Sequence, residues 1–170
     1  MKDLNCSIGL VNPKSPSNVG SVIRAVSCFN ADAIYYTGVR YDRAMKFNTD
    51  TKNNVKSIPV TAVSNLLDPV TKDTSIICVE LVEGAIPLPV FKHPKKAFYI
   101  FGPEDGTIDQ NLINKADEVI YIPTIGCLNL AATVNIILYD RLLKSNNIDY
   151  SNALISKSKD VNNRIKIINK

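Results

Sequence analysis

The chain has 170 residues, 45 % hydrophobic and 21 % charged, a composition that suits one domain with its own core and excludes a largely disordered chain or two ordinary enzyme domains. No apolar run approaches the ~18 residues of a spanning helix, and the opening MKDLNCSIGLV lacks the apolar core of a secretory signal, so a soluble cytoplasmic protein is expected. The net charge of +4 is uneven: residues 1–140 carry 13 Lys and Arg against 14 Asp and Glu, and residues 141–170 carry 7 against 2.

Ile8 to Val11 is a short apolar run ended by the turn-rich NPKSPSN, and it reads as a first strand. Asn18 is placed to cap the following helix, whose apolar face is Val19, Val22, Ile23, Val26 and Phe29. Ala33 to Thr37 reads as a second strand ended by Gly38, and residues 40–56 are polar without period, which predicts an exposed loop. A short helix is expected over Val60–Leu67, then a strand over Ser75–Val79. Residues 83–96 hold three prolines and predict a connection. Ala97–Phe101 reads as a strand, Ile108–Lys115 as a short helix and Glu118–Ile122 as another strand. The stripe Leu130, Val134, Ile137, Leu138 and Leu142 predicts a longer helix over 129–143. Short apolar strands alternating with helices argue a mostly parallel α/β sheet covered on both faces.

The basic tail gives either nonspecific phosphate affinity or a solvated end, and the clusters Arg40/Arg43/Lys46 and Lys92/Lys95/Lys96 would extend such a surface. Cys6, Cys28, Cys78 and Cys127 form no CxxC pair, and His93 is the only histidine. No metal site is therefore expected, and the cysteines read as reduced and mostly buried. The sequence has no GxGxxG after the first strand, no Walker A loop and no GxSxG elbow. Three loops that each follow a strand are nonetheless dense in Asn, Gly, Pro and Glu, where an open α/β sheet binds its ligand.

These loops are NPKSPSNVGSVIRAVSCFNADAIYYTG (12–38), FGPEDGTI (101–108) and IPTIGCLNLAATVNIILYDRL (122–142). In order and spacing they resemble the three motifs of the SpoU (TrmH) family of RNA ribose 2'-O-methyltransferases, in the SPOUT superfamily, and the match covers residues 8–144. The resemblance implies an α/β fold whose C-terminal part, over residues 97–143, makes a deep trefoil knot, a rare exception to unknotted topology. It implies a homodimer acting on tRNA or rRNA without a metal, with S-adenosyl-L-methionine as cofactor. Residues 1–145 would form the methyltransferase domain and 146–170 a basic extension, so that the chain is expected to be of the minimal, single-domain type.

Carried over residue by residue, the resemblance makes Arg24 the activator of the ribose hydroxyl, with Asn18, Glu104 and Asn129 completing the catalytic set. Glu104 would orient Arg24 or its loop. Leu81, Gly84, Phe101, Gly102, Gly106, Ile122, Gly126, Leu128 and Leu130 would surround the cofactor, with Gly102 and Gly106 letting the backbone pass close to it. An arginine with a pKa above ~12 is a poor base, so orientation and charge stabilisation are the expected role of Arg24. The family's third-motif Ser-Leu-Asn is Cys127-Leu128-Asn129 here, after a shortened loop, and cysteine is the weaker hydrogen-bonding residue. Two other readings stay open: a non-catalytic RNA-binding or interaction protein with this fold, and a knotted methyltransferase acting on a base nitrogen. The NVGxxxR and GPEDG pairing argues against the last.

Overall fold

The computed structural model describes residues 5–45, 58–145 and 148–167. Among these residues seven parallel strands form one sheet: β1 (Cys6–Leu10), β2 (Ile34–Tyr36), β3 (Val60–Ala62), β4 (Ser75–Val79), β5 (Ile86–Pro87), β6 (Ala97–Phe101) and β7 (Glu118–Tyr121), in the order β3-β2-β1-β6-β4-β7-β5. The central strands are near-continuous apolar runs because both faces are covered. On one face α1 (Pro16–Phe29) and α4 (Leu130–Leu143) pack together, joining Val19, Val22 and Val26 to Val134, Ile137 and Leu138, all at most 1 % exposed. The other face buries Cys78, Phe98, Ile100 and Ile108 beside α3 (Gln110–Ile113).

Several boundaries differ from expectation for local reasons. Helix α1 begins at Pro16, and its cap is Ser15, whose hydroxyl accepts from the Asn18 amide at 3.3 Å. Proline suits the first helical turn because it lacks the amide that would otherwise go unpaired, so Asn18 lies inside the helix and its side chain is released for another task. The 40–56 loop in fact opens with α2 (Arg40–Met45). Buried Tyr41 meets Tyr36 edge-on at 5.1 Å, and Tyr36 donates its hydroxyl to Asp42 at 2.6 Å. Burial first and that bond second push the Tyr36 hydroxyl up to about 12. The rest of that expected loop, with Lys46, lies outside the described residues.

The Val60–Leu67 helix is not formed. The β-branched residues after Pro59 pair with β2 as strand β3, in the register Ile34 to Val60, and turns follow. The 83–96 connection contains β5 on the sheet edge, where Pro87 costs no ladder bond that a central strand would need. Of the cysteines, Cys6 and Cys78 are buried, and burial pushes both thiols up to about 12. Cys28 and Cys127 are exposed, so only half the set follows the expectation of burial. The tail holds α5 (Asn152–Ser158) and is exposed almost throughout residues 149–167.

A polar network underlies α4. His93 Nδ1 lies 2.5 Å from the Tyr99 hydroxyl and its Nε2 lies 2.8 Å from Asp140 Oδ2. An ionised carboxylate only accepts, so the proton sits on Nε2 and the tyrosine donates to Nδ1. Burial outweighs the pull of Asp140 and holds the imidazole below its ordinary pKa, in keeping with a neutral ring. Arg141, 5 % exposed, donates to Tyr99 and to the carbonyls of Pro94 and Lys95 at 2.8–3.0 Å. Lys144 adds bonds to the Leu88 and Phe91 carbonyls and to Asp140. The network fastens the 88–96 connection to α4.

Candidate active site

A cavity of about 410 Å³ opens at the carboxyl ends of β4, β6 and β7. It is lined by Val79–Leu81 from β4 and its loop, Phe101–Glu104 and Gly106 after β6, and Tyr121, Ile122 and Thr124 after β7. Asn18 of α1 and the α4 approach Cys127–Leu130, with Thr133, complete it. Its volume falls in the ~300–1,000 Å³ range of small-molecule and cofactor sites.

The sequence-predicted residues divide clearly. Asn18, Glu104 and Asn129 line the cavity, as do Leu81, Phe101, Gly102, Gly106, Ile122, Leu128 and Leu130. Gly84 and Gly126 lie outside its lining. Gly84 takes a positive φ of 86° in its turn, and the carbonyl of Gly126 accepts from Thr124 Oγ1 at 2.7 Å. Both shape the neighbouring loops. Arg24 also lies outside the lining. It is exposed on α1 and forms no hydrogen bond or ion pair among the described residues.

Glu104 joins the first loop to the second. Its Oε2 accepts from the Lys14 amide at 2.9 Å, and its Oε1 accepts from the Ser15 amide at 3.0 Å and from Asn18 Nδ2 at 3.3 Å. Its partners are thus the loop and Asn18, with no bond to Arg24. Partial desolvation raises the Glu104 pKa, but the Ser15 and Lys14 amides outweigh it and hold the group below its ordinary value. Beside it Asp105 pairs with Arg40 at 2.8 Å and Lys14 at 3.5 Å. The Arg40 hydrogen bond is the main reason its carboxyl also stays low. This leaves α1 and the 102–108 loop clamped across the mouth of the cavity.

Asn129 caps α4. Its Oδ1 accepts from the Ala132 amide at 2.7 Å, while its own carbonyl takes both the amide and hydroxyl of Thr133. Its side-chain NH₂ makes no hydrogen bond among the described residues, leaving two donors at the cavity. Cys127 lines the same wall and is exposed.

Sequence reasoning missed Glu80. This carboxylate directly follows β4 and lines the cavity, accepting from the Leu81 amide through Oε1 and from the Ile108 amide through Oε2, both at 3.0 Å. Gly102 is small for its sake: a Cβ there would come within 3.0 Å of Glu80 Oε2 and 3.4 Å of Ile108. The Glu80–Ile108 pairing spans 28 residues and has no local signature. Among the described residues no group of three His, Cys, Asp or Glu side chains is arranged to hold a metal ion, and no helix is long and apolar enough to cross a membrane.

A parallel α/β sheet with loops from three strands and two helix ends around one cavity has counterparts among solved structures. The chain is similar to the A. aeolicus TrmH/SpoU tRNA modifying enzyme, with 18 % identity and a TM-score of 0.73 over 85 % of this chain and 77 % of that one. It is similar to the SpoU methyltransferase AviRb from Streptomyces viridochromogenes, solved with the cofactor AdoMet, at 18 % identity and a TM-score of 0.72, covering 88 % of this chain and 61 % of AviRb. A structure concerned with the 2-OH methylation of C/U34 on tRNA gives 17 % identity and a TM-score of 0.70, over 82 % and 89 % of the two chains. No curated protein matches the sequence. Residues 5–139 match the SpoU rRNA methylase family, and the chain belongs to that family.

Proposed function

We propose that the protein transfers a methyl group from S-adenosylmethionine to a ribose 2'-hydroxyl of tRNA or rRNA, using the cavity at the ends of β4, β6 and β7 as the cofactor pocket. The observation that carries this reading is the convergence of all three motif loops on one cavity of about 410 Å³ whose lining, among the described residues, includes Glu80 and Glu104 but no Lys, Arg or His. Such a lining suits a ligand that carries positive charge and meets backbone groups over much of its surface. Leu81, Phe101, Gly102, Gly106, Ile122, Leu128 and Leu130 would hold the cofactor there. When bound, it supplies an electrophilic methyl group that needs no metal to activate it.

The protein's own task is then to bring the hydroxyl into line with that methyl, which can account for much of the rate. Asn18 and Asn129 present side-chain amides at the cavity, and Glu104 keeps the first loop in place. Arg24 is assigned to stabilise the oxygen as its proton leaves. It is the one long side chain on an outward α1 face otherwise made of Ser17, Gly20, Ser21, Ser27 and Cys28, all exposed. That small-residue face admits close approach of RNA or of a second subunit. We assign the working form as a homodimer, supported by the exposed stripe Ile136, Tyr139 and Leu143 on α4. Residues 97–143 would be threaded as the trefoil knot, with 1–145 as the catalytic domain, 146–170 as a basic extension for phosphates and the cytoplasm as the site of action. Arg40, Arg43 and the tail lysines supply further positive charge.

Isothermal titration with S-adenosylmethionine tests the pocket. The expected result is one site per protomer with micromolar affinity, in the ordinary range for cofactor binding of about −8 kcal/mol. Absence of binding, both alone and with total RNA present, contradicts the assignment.

A further inference from the structure

We propose that the Glu80 carboxylate is the group by which the cavity distinguishes S-adenosylmethionine from its demethylated product, S-adenosylhomocysteine; this rests on the cofactor reading above. The two molecules share adenine, ribose and amino-acid ends. They differ at sulfur: the first carries a methyl group and a fixed positive charge, the second a neutral thioether. A site that separates them must respond to one charge and one methyl. Among the described residues the cavity lining contains two charged side chains, both carboxylates.

Of these, Glu104 receives three donors from the first loop and α1, which fill most of its acceptor positions. Glu80 receives two, from Leu81 and Ile108, and makes no ion pair among the described residues. A carboxylate has about four acceptor positions, so Glu80 keeps two of them and an uncompensated negative charge. Its place is fixed as well. The two amides hold one oxygen each, and the missing Cβ of Gly102 leaves room for Oε2. A carboxylate fixed before the ligand arrives needs little reorganisation to act on it. Once the methyl has moved to oxygen, the sulfur keeps the bonding electron pair as a thioether and the attraction ends. Glu80 therefore favours loading of the cofactor and release of the product.

The test compares wild type with Glu80→Gln and Glu80→Asp by isothermal titration against both compounds, with thermal melting of the free proteins as a control for folding. In wild type the preference for S-adenosylmethionine should shrink as salt rises. Glu80→Gln keeps an oxygen acceptor but loses the charge, and should weaken S-adenosylmethionine about tenfold while leaving S-adenosylhomocysteine nearly unchanged, the effect of one charge pair in a partly solvated cavity. Glu80→Asp loses reach to Ile108 but keeps the charge, and should retain most of the preference. An equal change in both affinities for Glu80→Gln would overturn the proposal and leave Glu80 as a loop brace only. Wild type that binds both compounds equally well also overturns it, and leaves the cofactor reading standing. Wild type that binds neither, both alone and with total RNA present, overturns both.

Discussion

Replacing Arg24 by alanine is expected to lower the rate of methyl transfer by about 10²–10³-fold, the usual loss when a group that stabilises developing charge is removed. Cofactor affinity should stay within twofold of wild type, because Arg24 lies outside the lining of the cavity. Stability should change by less than ~0.5 kcal/mol, as for an exposed side chain away from any packing or polar network. This combination separates a group that acts on the nucleophile from one that holds the cofactor or the fold. Arg24→Lys keeps charge but loses the planar fork, and should recover only part of the rate. Single-turnover kinetics with saturating RNA measures the effect on the chemical step. An Arg24→Ala protein with undiminished turnover would remove this residue from the mechanism.

The second large effect concerns the fold behind the site. Arg141→Met is expected to destabilise the protein by about 3–5 kcal/mol, the range for leaving buried polar partners of a charged group unpaired. The guanidinium joins α4 to Tyr99 and to the carbonyls of Pro94 and Lys95, also reaching the Asn5 carbonyl at 3.5 Å. Methionine fills the volume but returns none of these bonds. The melting temperature should fall by roughly 6–20 °C, taking ~2–4 °C per kcal/mol for a chain of this size. Arg141→Lys should recover less than half, since an ammonium cannot reach donors to several separate carbonyls as a planar fork does. A loss below ~1 kcal/mol for the methionine variant would show that the network is replaceable by apolar packing.

Much of this architecture is legible in the sequence because it depends on local pattern. Strands β4 and β6 fall on the apolar runs Ser75–Val79 and Ala97–Phe101. Helix α4 starts after the residue that caps it, Asn129, and buries the expected stripe. The parallel sheet follows from strands too apolar to face water on either side. What misled was local chemistry with two solutions. Asn18 and Ser15 are both good caps, and Pro16 at the first helical position decides for Ser15. Val60–Leu67 has helical spacing, but β2 offers an open edge that its β-branched start can pair with.

The rest depends on contacts between distant residues and has no short-range signal. His93 sits in a loop rich in proline and lysine, and only the finished fold brings it to Asp140, 47 residues on. Glu80 looks like an ordinary polar residue after a strand. Its proximity to Gly102 and Ile108 arises when β4 and β6 pair in register. The motif loops named the cavity, because each follows a strand whose carboxyl end points to the same side. They named Glu104 in its wall but not Glu80.

Incubation of the purified protein with RNA and cofactor labelled in the methyl group measures the proposed methylation of a ribose hydroxyl directly. Alkali cleaves RNA through attack of the 2'-hydroxyl, so a methyl on that oxygen protects the adjoining phosphodiester. Label is expected in RNA that survives alkaline digestion as dinucleotides, in wild type and far less in Arg24→Ala. Label released as mononucleotides would place the methyl on a base, and no transfer to either tRNA or rRNA fractions would contradict the assigned reaction altogether.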